Sequence, residues 1–491
     1  MELTGGQFDI RVKAIPGKGR GVVAYEDIPA GRLLLRDSKP YAAALTEEHL
    51  GRYCSGCFQR LDPQKRLRCS ACRIIYYCSK EELALIVVDQ FTYCIYYADD
   101  PSKCQRYDWS DHRDECPYWP KVPALPAPRT RMLGRMLRRE AKEGKRAVWR
   151  SLHKSDGFTA AEEKMYGMLS MILKAILKPE EFPSSFNECN ELWSMMETNC
   201  FCVMDDQANE IGVGLWLKSS TFNHSCLPSC TIVPRGDTLI IRSQWPICKG
   251  EEVTISYLDT MMKREDRIKS LQDGYKFTCT CKVCSDKVYD ITEAWIPYPK
   301  RLESSEHPWI IPRLDFKWIE KIQPKYQKVV RERGKEMLET MYEGNTSTPD
   351  SRERLKEAMD TLGPILHPRH TSLVSAQHHW MAWCRHNEDW TGALEMAQAI
   401  ASGQNNDPNL QTPNHPARAN YALLITTIKM TCIDVCRGNV SREFLLSTRE
   451  SGERAYSLLE GAYGVNYSKI SQIKEILQIL DMTLLSRFGD K

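Results

Sequence analysis

With 491 residues the chain has room for about three domains and a large core, and a composition of 27% charged and 42% hydrophobic residues excludes a disordered, fibrous or membrane-embedded class. A net charge of +3 excludes a polyelectrolyte, so any contact with nucleic acid has to come from a local basic patch. The longest apolar run, Leu83 to Val88, is six residues, far short of the roughly 20 that span a bilayer, and Met1 to Ile10 has no basic stretch followed by an apolar one, so an intracellular protein without membrane contact is expected.

In chain order, Phe8, Ile10 and Val12 alternate, Gly17-Lys18-Gly19-Arg20-Gly21 makes a turn, and Val22 to Ala24 and Leu33 to Leu35 follow, which predicts a small β-meander over residues 8–45. From Cys54 to Cys116 the chain is a compact cysteine and histidine block. Pro117, Pro120, Pro123, Pro126 and Pro128 then predict an extended linker. Residues 131–154 have helical spacing among many basic residues, and helical pattern continues to about Glu197. Strands are predicted over 211–217, 231–233, 238–242 and 253–257, with turns at Arg235-Gly236-Asp237 and Lys249-Gly250. Beyond residue 290 the pattern is helical, near 326–345, 370–385, 389–401, 417–437 and 467–486, as in an array of helix pairs.

Twenty cysteines in a reducing compartment point to metal wherever their spacing is short and regular. Cys54-x-x-Cys57, Cys69-x-x-Cys72, Cys78, Cys104, His112 and Cys116 supply eight soft ligands, the number two closed tetrahedral zinc sites require. Closed sites are structural, and metal supplies most of the folding energy of so small a module. In this order the ligands resemble a MYND zinc finger. That resemblance assigns Cys54, Cys57, Cys78 and Cys104 to one ion and Cys69, Cys72, His112 and Cys116 to the other. The finger family separates its third pair by a spacer of three, which deleting Lys80 to Pro101 restores. That surplus segment, with Leu85-Ile86-Val87-Val88, is apolar and β-prone. It is read as a translated intron or gene-model artefact, with a genuine loop insertion as the alternative, and Cys94 inside it is left out of the ligands. A third metal site is expected at Cys279-Thr280-Cys281-Lys282-Val283-Cys284, which lacks one ligand of four; spacing alone leaves Cys226 and Cys230 of Asn223-His224-Ser225-Cys226-Leu227-Pro228-Ser229-Cys230 as candidates.

Gly17 to Gly21, Asn223 to Cys226, Tyr257-Leu258-Asp259 and Cys279 to Cys284 resemble, in order, the SET domain and its post-SET extension. With the inserted finger and the helical last third, nearly the whole chain resembles the SET and MYND domain-containing protein-lysine methyltransferases, and Gly212-Val213-Gly214 with the single C-x-C-x-x-C looks closest to their third human member. The resemblance implies an α+β fold: 1–48 the first part of SET, 49–117 the finger, 118–262 the rest of SET, 263–290 the post-SET zinc site and 291–491 an all-α TPR-like domain. It makes Cys226 the fourth ligand of a third zinc, which leaves nine cysteines as core or free thiols.

The resemblance also implies methyl transfer from S-adenosylmethionine to lysines of histones (H3 or H4) and other proteins, in transcription and chromatin regulation. Tyr257 is then the catalytic tyrosine and Tyr275 the second wall of the lysine channel. Lys18, Gly19, Arg20, Asn223, His224, Tyr257 and Phe277 hold the methyl donor. A further aromatic and an Asn of the family cannot be placed between Trp149 and Asp156, and Ser229 stands where the family usually has Asn. At pH 7 only about one free lysine in 2,500 is neutral, a handicap of roughly 4.6 kcal/mol; alignment of two bound reactants is worth roughly 7 to 11 kcal/mol, so positioning is the larger effect.

Lys121 to Lys154 carries eleven basic and two acidic residues, which together with the finger suggests a basic face for DNA or an acidic partner. By resemblance the finger docks proline-rich peptides, the protein is a monomer, and it works in cytoplasm and nucleus. The competing expectation is a catalytically weak scaffold or transcriptional corepressor.

Overall fold

The computed structural model describes residue 3 and residues 6–78, 102–122, 124–144, 147–154, 158–205, 209–260, 262–285, 324–364, 366, 370–405, 415–464 and 467–489. The segment expected to be surplus, Lys80 to Pro101, lies outside the described residues.

Strand β1 (Ile10–Ile15) turns through Gly17 and Gly19, at φ +72° and +73°, into β2 (Gly19–Ala24), a left-handed backbone that glycine adopts without strain. They pair antiparallel from Ile10–Ala24 to Ile15–Gly19. Then come β3 (Leu33–Ser38) and β4 (Ala42–Leu45), the finger's two-stranded β5 (Leu67–Arg68) and β6 (Tyr76–Tyr77), and helix α1 (Ser102–Glu115). Pro128 opens α2 (Pro128–Glu143), with proline's missing N–H at the one place where a helix has no partner for it. Gly144, at φ +63°, closes it, so the helical pattern predicted over 131–154 ends early and is followed by a 3-10 turn at Val148–Ser151. A Thr159–Glu162 capping box starts α3 (Ala160–Ile176), and Ser185 caps α4 (Phe186–Asn199).

Next follow β7 (Phe201–Met204), β8 (Glu210–Leu215), β9 (Asn223–His224), β10 (Cys230–Arg235), β11 (Thr238–Ser243) and β12 (Glu252–Ile255). The sheets run β1-β2-β12-β9, β10-β11-β3 and β4-β8-β7. The first positions the site: β12 pairs antiparallel with β2 and parallel with β9, so residues 19–24, 223–224 and 252–255 lie side by side. Ile10, Val22, Leu34, Phe222, Ile241, Val253 and Ile255 form the core beneath them.

The finger is continuous with the helical insert. Its ligand cysteines share a hydrophobic cluster with Met132, Leu133, Met136 and Leu137 of α2 and with Trp149, Leu173 and Trp193. Burial corrects the expected basic face, because Arg131, Arg135 and Arg138 of α2 are at most 7% exposed. Arg135 spans Asp108 and Glu115 of α1, Arg131 donates to the Pro126 carbonyl (2.9 Å), Arg139 pairs with Asp111, Lys142 with Asp114, Arg150 with Glu140 and Glu188, and Lys154 with Glu191. Arg135, Arg139 and Lys142 thus join α2 to the finger's helix, while Arg150 and Lys154 pair within the insert and Lys142 stays 44% exposed.

Helix α5 (Arg264–Tyr275) and the short α6 (Lys282–Ser285) follow the last strand, then α7 (Pro324–Glu343), α8 (Pro349–Leu362), α9 (Thr371–His386), α10 (Trp390–Asn405), α11 (Pro416–Val435), α12 (Arg442–Tyr463) and α13 (Ser468–Phe488). The sequence pattern did not single out α1, α5, α8 and α12. From α9 onward each helix packs mainly on its neighbours in sequence, while α7 packs on both α8 and α9, as in a stacked array. Tyr342 of α7 ties the array to α5: its hydroxyl donates to Asp266 at 2.6 Å, and Lys263 Nζ lies 3.9 Å from its ring centroid. Among the described residues no helix is long and apolar enough to cross a membrane.

Candidate active site and metal centres

The two finger knuckles fold alike. In one, Phe58 (φ +62°) follows Cys57 and its N–H bonds back to the Cys54 carbonyl at 2.9 Å; in the other, Arg73 (φ +58°) follows Cys72 and bonds back to Cys69 at 3.0 Å. Helix α1 brings Cys104 and His112, and Cys116 follows it. Cys54, Cys57, Cys78 and Cys104 form one group of ligand atoms, Cys69, Cys72, His112 and Cys116 a second, and Cys226, Cys279, Cys281 and Cys284 a third, each with all four atoms within 4.8 Å of one another.

Four ligands about 2.3 Å from a tetrahedral zinc are about 3.8 Å apart. The separations agree: 3.5 Å for Cys57–Cys78, 3.7 Å for Cys69–Cys116, 3.6 Å for Cys72–His112 and 3.5 Å for Cys226–Cys284. Burial alone raises the Cys69 thiol, but N–H groups of Cys72 and Ala71 and the His112 ring outweigh it and bring it down to about 6, into the thiolate form a metal requires. All twelve expected ligands fall in the expected groupings. The open choice for the third site resolves to Cys226, whereas Cys230 is buried within β10.

A second layer fixes the finger. His112 Nδ1 lies 3.5 Å from Glu115, which Arg135 holds from α2, and Arg135 also donates to Asp108 (2.9 Å), which accepts from the Tyr77 hydroxyl (2.6 Å). Burial raises the Glu115 carboxyl, yet Arg135 and His112 bring it to about 2.

The third ligand group leads directly into the tyrosines. His224 Nε2 is 3.3 Å from Cys226 Sγ, and its Nδ1 accepts the Tyr257 N–H at 3.0 Å, so the ring is held from both sides. The Tyr257 hydroxyl donates to the Phe222 carbonyl at 2.7 Å, and its ring lies 4.8 Å from that of Tyr275, tilted by 36°. Burial raises both tyrosine hydroxyls above the usual range, so both are protonated donors at neutral pH. Lys276, at φ +57°, ends α5 and turns the chain between Tyr275 and Phe277; its ammonium reaches Glu162 of α3 at 2.5 Å, and the Phe277 ring lies 6.2 Å from His224.

On the neighbouring strands, Lys18 Nζ donates to Glu252 Oε2 at 2.6 Å and Asn223 Nδ2 to Glu252 Oε1 at 2.8 Å. Arg20 donates to the Ser151 carbonyl, and Gly19 leaves open space where a Cβ would stand. The structure thus brings together Asn223, His224, Tyr257, Tyr275 and Phe277, with Lys18 joined through Glu252 and Arg20 turned to residues 148–151. Sequence reading missed Glu252, although period-two spacing along β12 puts it on the face opposite the core residues Val253 and Ile255. It also missed the Phe222 carbonyl, a backbone atom with no sequence signature. In the stretch where a further aromatic could not be placed, Trp149 is fully buried as a core residue. Asn199, outside that stretch, donates its amide to the His153 carbonyl at 2.8 Å. Ser229 braces β12, its Oγ accepting the Thr254 N–H at 2.9 Å.

The SET domain profile matches residues 19–258, the stretch that holds β2, Asn223-His224 and Tyr257. Those residues form a SET domain. Mouse histone-lysine N-methyltransferase SMYD3 is 32% identical over 285 residues, covering 56% of this chain and 60% of that protein. Chicken N-lysine methyltransferase SMYD2 is 24% identical over 484 residues, 95% and 96% of the two chains, and Arabidopsis histone-lysine N-methyltransferase ASHR1 is 27% identical over 305 residues, 58% and 57%. The match thus spans about 60% of the length of SMYD3 and nearly all of SMYD2. The chain is thus similar, over its SET region, to the SET and MYND domain-containing lysine methyltransferases. Identity is higher to SMYD3 and coverage higher to SMYD2, so the two measures do not single out one member. A solved structure of Rubisco LSMT with sinefungin and monomethyllysine covers 98% of this chain and 89% of its own at 12% identity, with a TM-score of 0.29, too low to carry an argument.

Proposed function

We propose that the chain is a protein-lysine N-methyltransferase. The observation that carries this reading is the Tyr257 site: a half-buried hydroxyl that donates to a backbone carbonyl, faced by a second tyrosine and flanked by Asn223 and His224. The donor S-adenosylmethionine supplies an electrophilic methyl on sulfur. The lysine nitrogen forms the new N–C bond as the S–C bond breaks, and the amine's proton leaves to solvent. Tyr257 and Tyr275 wall the channel, exclude water and orient the lone pair, and their rings suit a substrate that arrives as a cation.

Residues fit for the donor are at hand. Gly17 to Gly21 lets backbone approach closely, Asn223 offers an amide oxygen, Lys18 an ammonium and Phe277 an aromatic face. Arg20 closes over the site by holding the Ser151 carbonyl. Zinc is the metal that sulfur-rich tetrahedral groups of this size fit, and three ions would be structural. The substrates of this reading are lysines of histones and other proteins, in cytoplasm and nucleus, with the finger as a docking module for proline-rich peptides and the chain acting as a monomer. The domain limits set out above serve as its working divisions.

The test is transfer of labelled methyl from S-adenosylmethionine to histones and cell lysate by zinc-loaded protein and its Tyr257→Phe variant. Label on a protein band that the variant loses supports the reading; no label from folded, zinc-loaded protein turns it toward the scaffold.

A further inference from the structure

We infer that Glu252 is a positioning residue for the methyl donor, setting which end of the Asn223 amide faces the donor and where Lys18 stands. This rests on the methyl-donor reading above. Glu252 spends one carboxylate oxygen on each of two residues: Oε1 accepts from Asn223 Nδ2 at 2.8 Å and Oε2 from Lys18 Nζ at 2.6 Å. Its side chain is only 19% exposed. A carboxylate accepts and never donates, so it captures the NH2 end of the amide and leaves Asn223 Oδ1 as the free end. The methionine end of the donor carries an ammonium, which needs an acceptor, and a carboxylate, which needs a cation. With Glu252 in place Asn223 presents the acceptor and Lys18 the cation. Without it the amide is free to rotate and present a second donor to an ammonium.

Gly21 makes the arrangement possible. A Cβ there would stand 2.5 Å from Asn223 Nδ2 and 2.9 Å from Glu252 Oε1, closer than Cβ atoms approach such groups. The backbone at Gly21 is not in the left-handed region, so space rather than φ requires the glycine. The turn's last glycine is therefore tied to the Asn223–Glu252 contact and its first two to the hairpin.

The experiment is calorimetric titration of zinc-loaded full-length protein with S-adenosylhomocysteine and with its analogue lacking the α-amino group. Wild type, Glu252→Ala, Glu252→Gln, Asn223→Ala and Gly21→Ala are compared. A hydrogen bond to a charged group is worth roughly ten- to a hundred-fold in affinity. Glu252→Ala is expected to weaken the amino compound by about that factor and to shrink the preference for it over the deaminated analogue, as Asn223→Ala does. In turnover the KM for the donor rises while kcat at saturation holds. Glu252→Gln can satisfy Asn223 or Lys18 but not both, is expected to fall between, and serves if Glu252→Ala does not fold. A Glu252 variant that keeps the wild-type preference, while Asn223→Ala loses it, overturns the inference and leaves the methyltransferase reading standing. Wild-type protein that binds neither compound overturns both.

Discussion

The finger and the third metal centre use the same ligand chemistry in opposite ways. The finger draws its eight candidate ligands from residues 54–116, and Arg135, Glu115 and Asp108 brace them with buried ion pairs. The third centre joins Cys226 to Cys279, Cys281 and Cys284, and through the 3.3 Å contact of Cys226 with His224 it is one side chain away from the Tyr257 backbone. A closed metal site is structural in both places, but what it holds differs: in one the finger and α1, in the other the segment around His224 and Tyr257.

The largest effect follows from that difference. Cys279→Ser is expected to lose one zinc of three and all methyl transfer, whereas Cys72→Ser loses a zinc yet keeps transfer to a short peptide; metal analysis beside the labelled-methyl assay checks both, and equal losses would erase the contrast. Next is Tyr257→Phe, which removes one hydroxyl and no metal. The expectation is a kcat lower by about 10²-fold with the zinc count unchanged, by analogy with the loss of one preorganised donor. Third, Arg135→Met strands Glu115 and Asp108 in the finger wall. It is expected to cost about 3 to 5 kcal/mol of stability in thermal or denaturant unfolding, with donor affinity unchanged; a fall in donor affinity would mean that the finger reaches the site after all. Smallest is Tyr342→Phe, which cuts the hydrogen bond from the helical array to Asp266. About 1 kcal/mol of stability and no change in transfer to a short peptide are expected.

Much of this was legible in the chain itself, for reasons that differ by region. Metal ligands are legible because a tetrahedron demands four soft atoms and short spacers bring them in pairs: every finger ligand was readable from spacing, and the partner of Cys279, Cys281 and Cys284 only through the family resemblance, which the fold then matched at Cys226. Tyr257, Tyr275 and Phe277 were legible only through family resemblance, since an aromatic residue just after a strand or at the end of a helix looks like any other. Glu252 was not legible, because its meaning is its distance to Asn223 and Lys18, neither of which is near it in sequence. Four arginines of α2 were misread because counting charge says nothing of burial: Asp108, Asp111 and Glu115 of α1 pair with Arg135 and Arg139, Glu181 with Arg138, and Arg131 bonds to a carbonyl. The missed helices α8 and α12 carry seven charged residues each, so few apolar residues remain to mark their buried face in a composition-led reading.

The pairing of β2 with β12 joins Val22 to Val253, some 230 residues apart. At roughly 5 to 20 residues per second of synthesis, β2 leaves the ribosome about 10 to 50 s before the strand that covers its edge exists. For that interval the hairpin of β1 and β2 presents an unpaired, valine-rich strand on a nascent chain, an invitation to wrong partners. The glycine turn that serves the finished site thus belongs to an element made well before the strand that completes it.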